Sequence, residues 1–188
     1  IRDAMAYFRV VAQEADDLAF ERIVNTPKRG LGEAAIRQIH DAARAGQVPM
    51  LAAARQLVET EELKPKVRSS LRQVVELFDR WTLALDQKPH TELAEQILEE
   101  SGYTDMWKAD RSAEAPGRLE NLKELIRSME DYESLRAFLE HVALVMDAEK
   151  NEDLDAVNIM TLHAAKGLEF NTVFLPGWEE GLFPHQRA

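Results

Sequence analysis

The stretch Val67-Arg-Ser-Ser-Leu-Arg-Gln-Val-Val-Glu-Leu-Phe-Asp-Arg-Trp-Thr-Leu-Ala-Leu85 decides the fold of this chain. Its large apolar residues are separated by alternating steps of four and three, which places them on one face of an α-helix. They are Val67, Leu71, Val74, Phe78, Trp81 and Leu85. Because such a face must pack against other elements, we expect a helical domain around this stretch. Trp81, and with it Trp107, is then a core residue rather than a platform for base stacking.

Shorter segments with helical spacing lie on either side of this stretch. We expect about seven or eight helices in total, separated by turns at proline and glycine. Six helical segments are predicted besides the one at residues 67–85. Four of them are residues 3–13, residues 18–24 (capped at Asp16-Asp17), residues 33–46 and residues 119–129. The other two begin at a cap: one is capped by Thr91 and stops at Gly102, and one is capped by Ser134. The stretch from Asp110 to Gly117 is predicted to be a loop.

The pattern changes beyond residue 155. Val157, Ile159 and Thr161 alternate as in a strand, and Asn171 to Leu175 form a second short β-rich run. Because two strands do not make a stable sheet alone, we expect this piece to belong to a larger sheet. The predicted fold class is therefore mainly α, with a partial α/β segment at the C-terminal end.

Composition and charge narrow the class of protein. The chain has 45% hydrophobic residues, which is typical of a folded protein, and its net charge is −11, whereas nucleic-acid-binding domains are usually basic. Residues 1–50 carry seven basic and seven acidic side chains, so the acidic excess lies farther along. Without cysteine or closely spaced histidines, we predict no metal site. No leader or long apolar run is visible, so we expect a cytoplasmic protein without membrane contact.

The segment Thr161-Leu-His-Ala-Ala-Lys-Gly-Leu-Glu-Phe170 is the most specific candidate for chemistry. It connects the two predicted strands, and ligands of open α/β sheets gather at the carboxyl ends of strands. Thr161, His163, Lys166 and Glu169 would lie there. The pattern alone leaves open that these are solvated residues on a short turn.

The second candidate is Asn25-Thr-Pro-Lys-Arg-Gly-Leu-Gly32, directly before a predicted helix at Glu33. A helix N-terminus presents unpaired N–H groups, so a phosphate would bind there with help from Lys28 and Arg29. An ordinary helix-to-helix turn is the alternative reading.

Both segments resemble those of UvrD/PcrA/Rep-type superfamily-one DNA helicases. The first is similar to motif V of their second RecA-like lobe (2A), and the second to the Asn-x-Pro-x-Arg-Gly-Ile-Gly segment of their accessory 2B domain, with Leu31 in place of Ile. Residues 1–9 resemble the segment after motif IV, and residues 118–125 resemble part of 2B. The stretch between residues 48 and 115 carries no motif that we can name.

The resemblance implies a domain plan: residues 1–12 as the segment after motif IV, residues 13–152 as a helical 2B-like domain, and residues 153–188 as part of lobe 2A. It implies single-stranded DNA contacts for Thr161, His163 and Lys166. Glu169 would bind ATP, with Gly167 letting the backbone pass close by. The duplex contacts implied are Lys28, Arg29, Gly30, Leu31 and Gly32. Motif V would then couple ATP to movement along the strand.

A helicase of this kind also needs a Gly-x-x-x-x-Gly-Lys-Ser/Thr loop for the phosphates of Mg²⁺-bound ATP, and the 188 residues contain none. The chain begins at Ile1 inside an amphipathic segment, so we expect an internal piece of a longer enzyme. By itself it should neither hydrolyse nor tightly bind ATP, and it should supply no catalytic residue. The longer enzyme would act on single-stranded and duplex DNA, with repair-pathway proteins as partners. The alternatives are a helicase-nuclease subunit of RecB/AddA type and an acidic helical protein-interaction module.

Overall fold

The computed structural model describes residues 1–150, 157, 159–162 and 164–176. The chain divides into two compact units, Ile1–Lys150 and Asn151–Ala188. The first unit is helical, so the predicted mainly α class is confirmed. Its helices are α1 (Arg2–Ala12), α2 (Asp17–Ile23), α3 (Glu33–Gly46), α4 (Met50–Leu57), α5 (Pro65–Ala84), α6 (His90–Glu100), α7 (Tyr103–Ala109), α8 (Ala115–Met129) and α9 (Leu135–Lys150).

Several helix ends lie where the sequence offers a cap. The Asp16 carboxylate accepts a hydrogen bond from the Ala19 N–H at the start of α2 (3.0 Å). The Ser134 hydroxyl accepts one from the Ala137 N–H at the start of α9 (3.1 Å). Each cap supplies an acceptor for an N–H group that has no partner within its helix, and both predicted caps are confirmed.

Within the helical unit, the structure differs from the sequence pattern at one cap, at two short helices and at one loop. Thr91 lies inside α6 rather than capping it, because the helix begins one residue earlier, after Pro89. Two short helices, α4 and α7, were not in the predicted set. The predicted loop at residues 110–117 is shorter than expected, because α8 already begins at Ala115 with a proline in its first turn. Proline is favoured at that position, because an N–H group there would have no acceptor within the helix and its absence costs nothing.

An aromatic cluster lies at the centre of the helical unit. Phe78 and Trp81 of α5 pack on Tyr7 of α1, with ring centroids 6.0 Å apart for Tyr7–Phe78 and 5.1 Å for Phe78–Trp81. Phe20 of α2 completes the group, and all four side chains are buried. The cluster joins the first two helices to the long central helix, which fixes the place where the chain leaves α2 for α3.

The second unit contains no strand among its described residues. The predicted alternation is present, but Val157 and Ile159 are 91% and 95% exposed, and the run at residues 171–175 is irregular. A strand needs a neighbour that takes up its N–H and C=O groups, and the described residues provide none. At these residues the prediction of two strands is therefore wrong for this chain.

Candidate functional site

The 25–32 loop (Asn25 to Gly32) links α2 to α3. Gly30 has φ +77°, a backbone conformation that residues other than glycine rarely adopt. Gly32 is the N-cap residue of α3, and no side chain caps this helix. Lys28, Gly30 and Gly32 are exposed, and apart from the adjoining residues no heavy atom lies within 4 Å of the position that a Cβ would take at either glycine. The outer face of the loop is therefore open backbone next to a helix N-terminus.

The Asn25 side chain holds the backbone of this loop. Its Oδ1 atom accepts hydrogen bonds from the N–H groups of Arg29 (2.7 Å) and Leu31 (3.2 Å). The Leu31 side chain is fully buried. One acceptor thus closes the turn, while Leu31 attaches the far end of the loop to the core.

The Arg29 guanidinium points into the protein. Its Nη1 atom donates to the carbonyl oxygens of Ile23 (3.0 Å), Val24 (3.2 Å) and Pro27 (3.3 Å). Its Nη2 atom donates to the Tyr7 hydroxyl (2.6 Å) and to the Ser101 carbonyl oxygen (2.9 Å). All five acceptors are uncharged, and they come from the end of α2, the loop itself, α1 and the end of α6.

Tyr7 lies directly beneath the loop. It is 1% exposed, and its hydroxyl donates to the Thr26 carbonyl oxygen while accepting from Arg29. Burial raises the pKa of the Tyr7 phenol, partly offset by the neighbouring Arg29 charge. The phenol therefore stays protonated at neutral pH, as its hydrogen bond to Thr26 requires.

The structure divides the predicted duplex contacts into two groups. Lys28, Gly30 and Gly32 face solvent, whereas Arg29 is turned inward and Leu31 belongs to the core. Sequence reasoning missed the supporting residues Asn25, Tyr7 and Ser101. Asn25 had a detectable signal, because asparagine commonly bonds the backbone a few residues onward. The parts played by Tyr7 and Ser101 depend on contacts over 22 and 72 residues of sequence, which no local pattern reveals.

The 161–170 turn (Thr161 to Phe170) is held by local hydrogen bonds. The Thr161 hydroxyl accepts from the Ala164 N–H (3.2 Å), and the Thr161 carbonyl accepts from the Ala165 N–H (3.0 Å). Gly167 has φ +87° and open space around it. Thr161, Lys166, Gly167 and Glu169 are exposed, so four predicted ligand contacts lie within one short solvent-facing turn. The fifth, His163, lies outside the described residues.

Groups of metal ligands and membrane-spanning helices are both absent from the described part of the chain. No group of three or more His, Cys, Asp or Glu side chains is placed to bind a metal ion there. None of its helices combines the length and the apolar character needed to cross a membrane.

Comparisons with known proteins identify the family. The family model described as "UvrD-like helicase C-terminal domain" matches residues 1–188. A probable DNA helicase II homolog of Rickettsia conorii is 41% identical over the whole chain, and the match covers 29% of that protein. The ATP-dependent DNA helicase PcrA of Bacillus subtilis is 39% identical over the whole chain (27% of its length), and DNA helicase II of Escherichia coli is 36% identical (28%). The chain spans less than a third of these relatives. With its full length matched and identities above a third, the chain belongs to the UvrD-like helicase C-terminal domain family.

Proposed function

We propose that this chain is part of an ATP-dependent DNA helicase that moves along single-stranded DNA and unwinds duplex. Residues 13–152 act as the 2B-like accessory domain, residues 1–12 follow motif IV, and residues 153–188 contribute motif V to lobe 2A. Full-length similarity to the UvrD-like family supports this assignment. The observation that carries it is the outer face of the 25–32 loop, where Lys28, Gly30 and Gly32 are exposed at a helix start without a side-chain cap.

The loop is proposed to bind a phosphate of duplex DNA. Backbone N–H groups at a helix N-terminus are aligned donors for an anion, and the glycines let a phosphate approach them closely. The Lys28 ammonium adds a positive charge at the same edge. Glu33 in the first turn of α3 opposes this attraction, and so does the net charge of −11. We therefore expect weak duplex binding that depends strongly on salt.

Salt-titrated fluorescence anisotropy with a labelled blunt duplex tests this proposal. The slope of log K against log salt is negative, and each lost phosphate contact decreases its magnitude by about 0.9, so Lys28→Ala should decrease the magnitude by about that amount. Lys66→Ala is the matched control, because Lys66 is an exposed lysine on α5, away from the loop. Equal slopes for the two variants would show that the loop does not contact the duplex DNA. Salt-independent wild-type behaviour would instead favour the acidic interaction module.

The 161–170 turn is proposed to contact both nucleotide and single-stranded DNA in the full-length enzyme. The exposed Glu169 carboxylate suits the hydroxyl groups of an ATP ribose, and the open space at Gly167 lets a ligand approach the backbone. Bound ATP with Mg²⁺ would supply the energy for movement. Thr161, His163 and Lys166 would hold the strand, so the same turn would couple the two ligands. We propose that this chain alone neither hydrolyses ATP nor binds it tightly.

Nucleotide binding to the full-length protein tests the role of Glu169. Glu169→Ala should weaken the binding of a labelled ATP analogue, because the ribose loses a charged hydrogen-bond acceptor. Glu61→Ala, which removes an exposed carboxylate between α4 and α5, should leave the affinity unchanged. If both variants bind nucleotide like the wild type, Glu169 is not a nucleotide contact.

A cytoplasmic setting and repair-pathway partners are further proposals that follow from the helicase assignment.

A further inference from the structure

We propose that Arg29 and Tyr7 act together as positioning residues, which hold the 25–32 loop in its binding shape without touching DNA. The proposal rests on the proposed function of the loop as a phosphate-binding element. It changes the part assigned to Arg29, whose basic side chain next to Lys28 would otherwise be taken as a second phosphate contact.

The first argument is the hydrogen-bonding capacity of the guanidinium. The two Nη atoms of Arg29 carry four N–H groups, and the structure directs them to five acceptors inside the protein. Both N–H groups of Nη2 have one acceptor each, in Tyr7 and Ser101, and the Nη1 atom is shared among three carbonyl oxygens. A phosphate that bound either Nη atom would have to displace these partners, which would release the loop from α1 and α6.

The second argument is the place of the acceptors in the chain. Ile23 and Val24 end α2, Pro27 lies in the loop, and Ser101 follows α6. A planar guanidinium reaches all of these at once because its donors form a fixed fork. Together with its bond to Tyr7, the Arg29 side chain therefore joins the loop to the ends of α2 and α6 and to α1.

The third argument is the burial of Tyr7. Its ring stacks on Phe78 in the core, and its hydroxyl bonds both Arg29 and the Thr26 carbonyl oxygen. With 1% of its surface exposed, Tyr7 has no access to DNA. Any effect of its hydroxyl on DNA affinity must therefore pass through the loop. A substitution at Tyr7 therefore tests the positioning of the loop without removing a DNA contact.

Two substitutions separate positioning from direct contact. Arg29→Lys keeps the charge but cannot reproduce the fork, so we expect duplex affinity at low salt to fall about fivefold or more. A direct phosphate contact would be largely rescued by lysine. Tyr7→Phe keeps the ring and removes only the hydroxyl, and we expect it to weaken duplex binding in the same direction. Tyr103→Phe is the matched control, because Tyr103 is also buried but its hydroxyl bonds Asp3 (3.2 Å) outside the loop.

Amide hydrogen exchange provides a readout that does not need DNA. In Tyr7→Phe and Arg29→Lys, the backbone N–H groups of residue 29 and Leu31 should exchange faster. The backbone N–H groups of the buried residues in α5 should keep their protection. Tyr103→Phe should leave the loop amides unchanged. Faster exchange throughout the protein would mean a general loss of stability and would overturn the proposal.

The two proposals fail in different ways. If the wild type does not bind duplex DNA but the loop amides respond to Tyr7→Phe, the function proposed for the loop is wrong and its support by Arg29 and Tyr7 stands as a purely structural finding. If Lys28→Ala decreases the magnitude of the salt slope but Tyr7→Phe and Arg29→Lys bind like the wild type, the loop binds DNA and the positioning proposal is wrong.

Discussion

The 25–32 loop and the 161–170 turn share a few sequence features but differ in the contacts that hold them. Each is short, carries an exposed lysine, and contains a glycine at positive φ, Gly30 at +77° and Gly167 at +87°. The loop is held by side chains from distant parts of the chain, including a partner 72 residues away. The turn is held by hydrogen bonds between residues three or four positions apart.

The difference shows that the residues of a motif can be present without the contacts that fix their geometry. The 25–32 loop has its shape built in, because a buried core lies directly under it. The 161–170 turn displays the residue types of a binding site, yet its neighbouring apolar side chains, such as Phe174 and Val173, are 86% and 59% exposed. The apolar side chains next to the turn are therefore exposed, whereas those beneath the loop are buried.

Removing a core aromatic residue should give the largest contrast between the two regions. Phe78→Ala opens a cavity beneath the loop and should lower the free energy of unfolding by about 3–5 kcal/mol. Phe174→Ala removes the same side chain from an exposed site and should change it by less than about 0.5 kcal/mol. Urea unfolding of the 188-residue chain, monitored by circular dichroism, measures both. Comparable losses for the two variants would contradict the contrast.

Removing a turn-closing acceptor should have an intermediate effect. Asn25→Ala leaves two loop N–H groups without their acceptor and should cost about 1–2 kcal/mol in the same urea experiment. Asn25→Asp retains an acceptor oxygen and should cost less. Thr161→Ala removes the matching acceptor from the exposed turn and should stay within about 0.5 kcal/mol. A Thr161 effect as large as that of Asn25 would show that the turn is more tightly held than its contacts indicate.

The two exposed lysines should respond to different DNA probes. Lys28→Ala should decrease the magnitude of the salt slope for duplex binding by about 0.9 and leave single-strand binding unchanged. In the full-length protein, Lys166→Ala should decrease the magnitude of the slope for single-stranded DNA by about 0.7 and spare duplex binding. Anisotropy titrations with both probes give the four slopes. An interchange of the two patterns would reverse the assignments of loop and turn.

At alkaline pH, Tyr7 should make the stability of the helical unit depend on pH. Since burial raises the folded pKa of Tyr7 above its ordinary value near 10, the folded state retains the phenol proton longer than the unfolded state. This contribution is fully present below about pH 10 and is lost as pH rises through the folded pKa. Tyr7→Phe should therefore show a shallower alkaline decline in urea midpoints than the wild type. Equal declines would place the titrating group elsewhere.

The sequence was a good guide where the determinants are local. The apolar stripe around Phe78 predicted the central helix, and Asp16 and Ser134 marked two helix starts. The two helices missing from the prediction, α4 and α7, have eight and seven residues, and unlike the equally short α2 neither begins at a side-chain cap. The predicted strands are absent from the described residues, because alternating spacing alone does not supply the neighbouring strand that the backbone groups need.

The candidate site was only partly predictable for the same reason. The exposed Lys28 and the glycines followed from the motif. The inward turn of Arg29 did not, because it depends on Tyr7 and Ser101, which the fold brings to the loop from remote positions. A basic residue within a recognised motif thus has two possible directions, and only the tertiary structure distinguishes them.

The burial of α1 has a practical consequence for anyone who wishes to express the helical unit separately. This helix contributes six buried residues, from Ala4 to Val11, and packs against α5, α6 and α9. A truncated protein that starts at residue 13 would discard those side chains and leave a hydrophobic trough prone to aggregation. It would also delete the phenol that receives Arg29. The N-terminal cut should therefore precede Arg2.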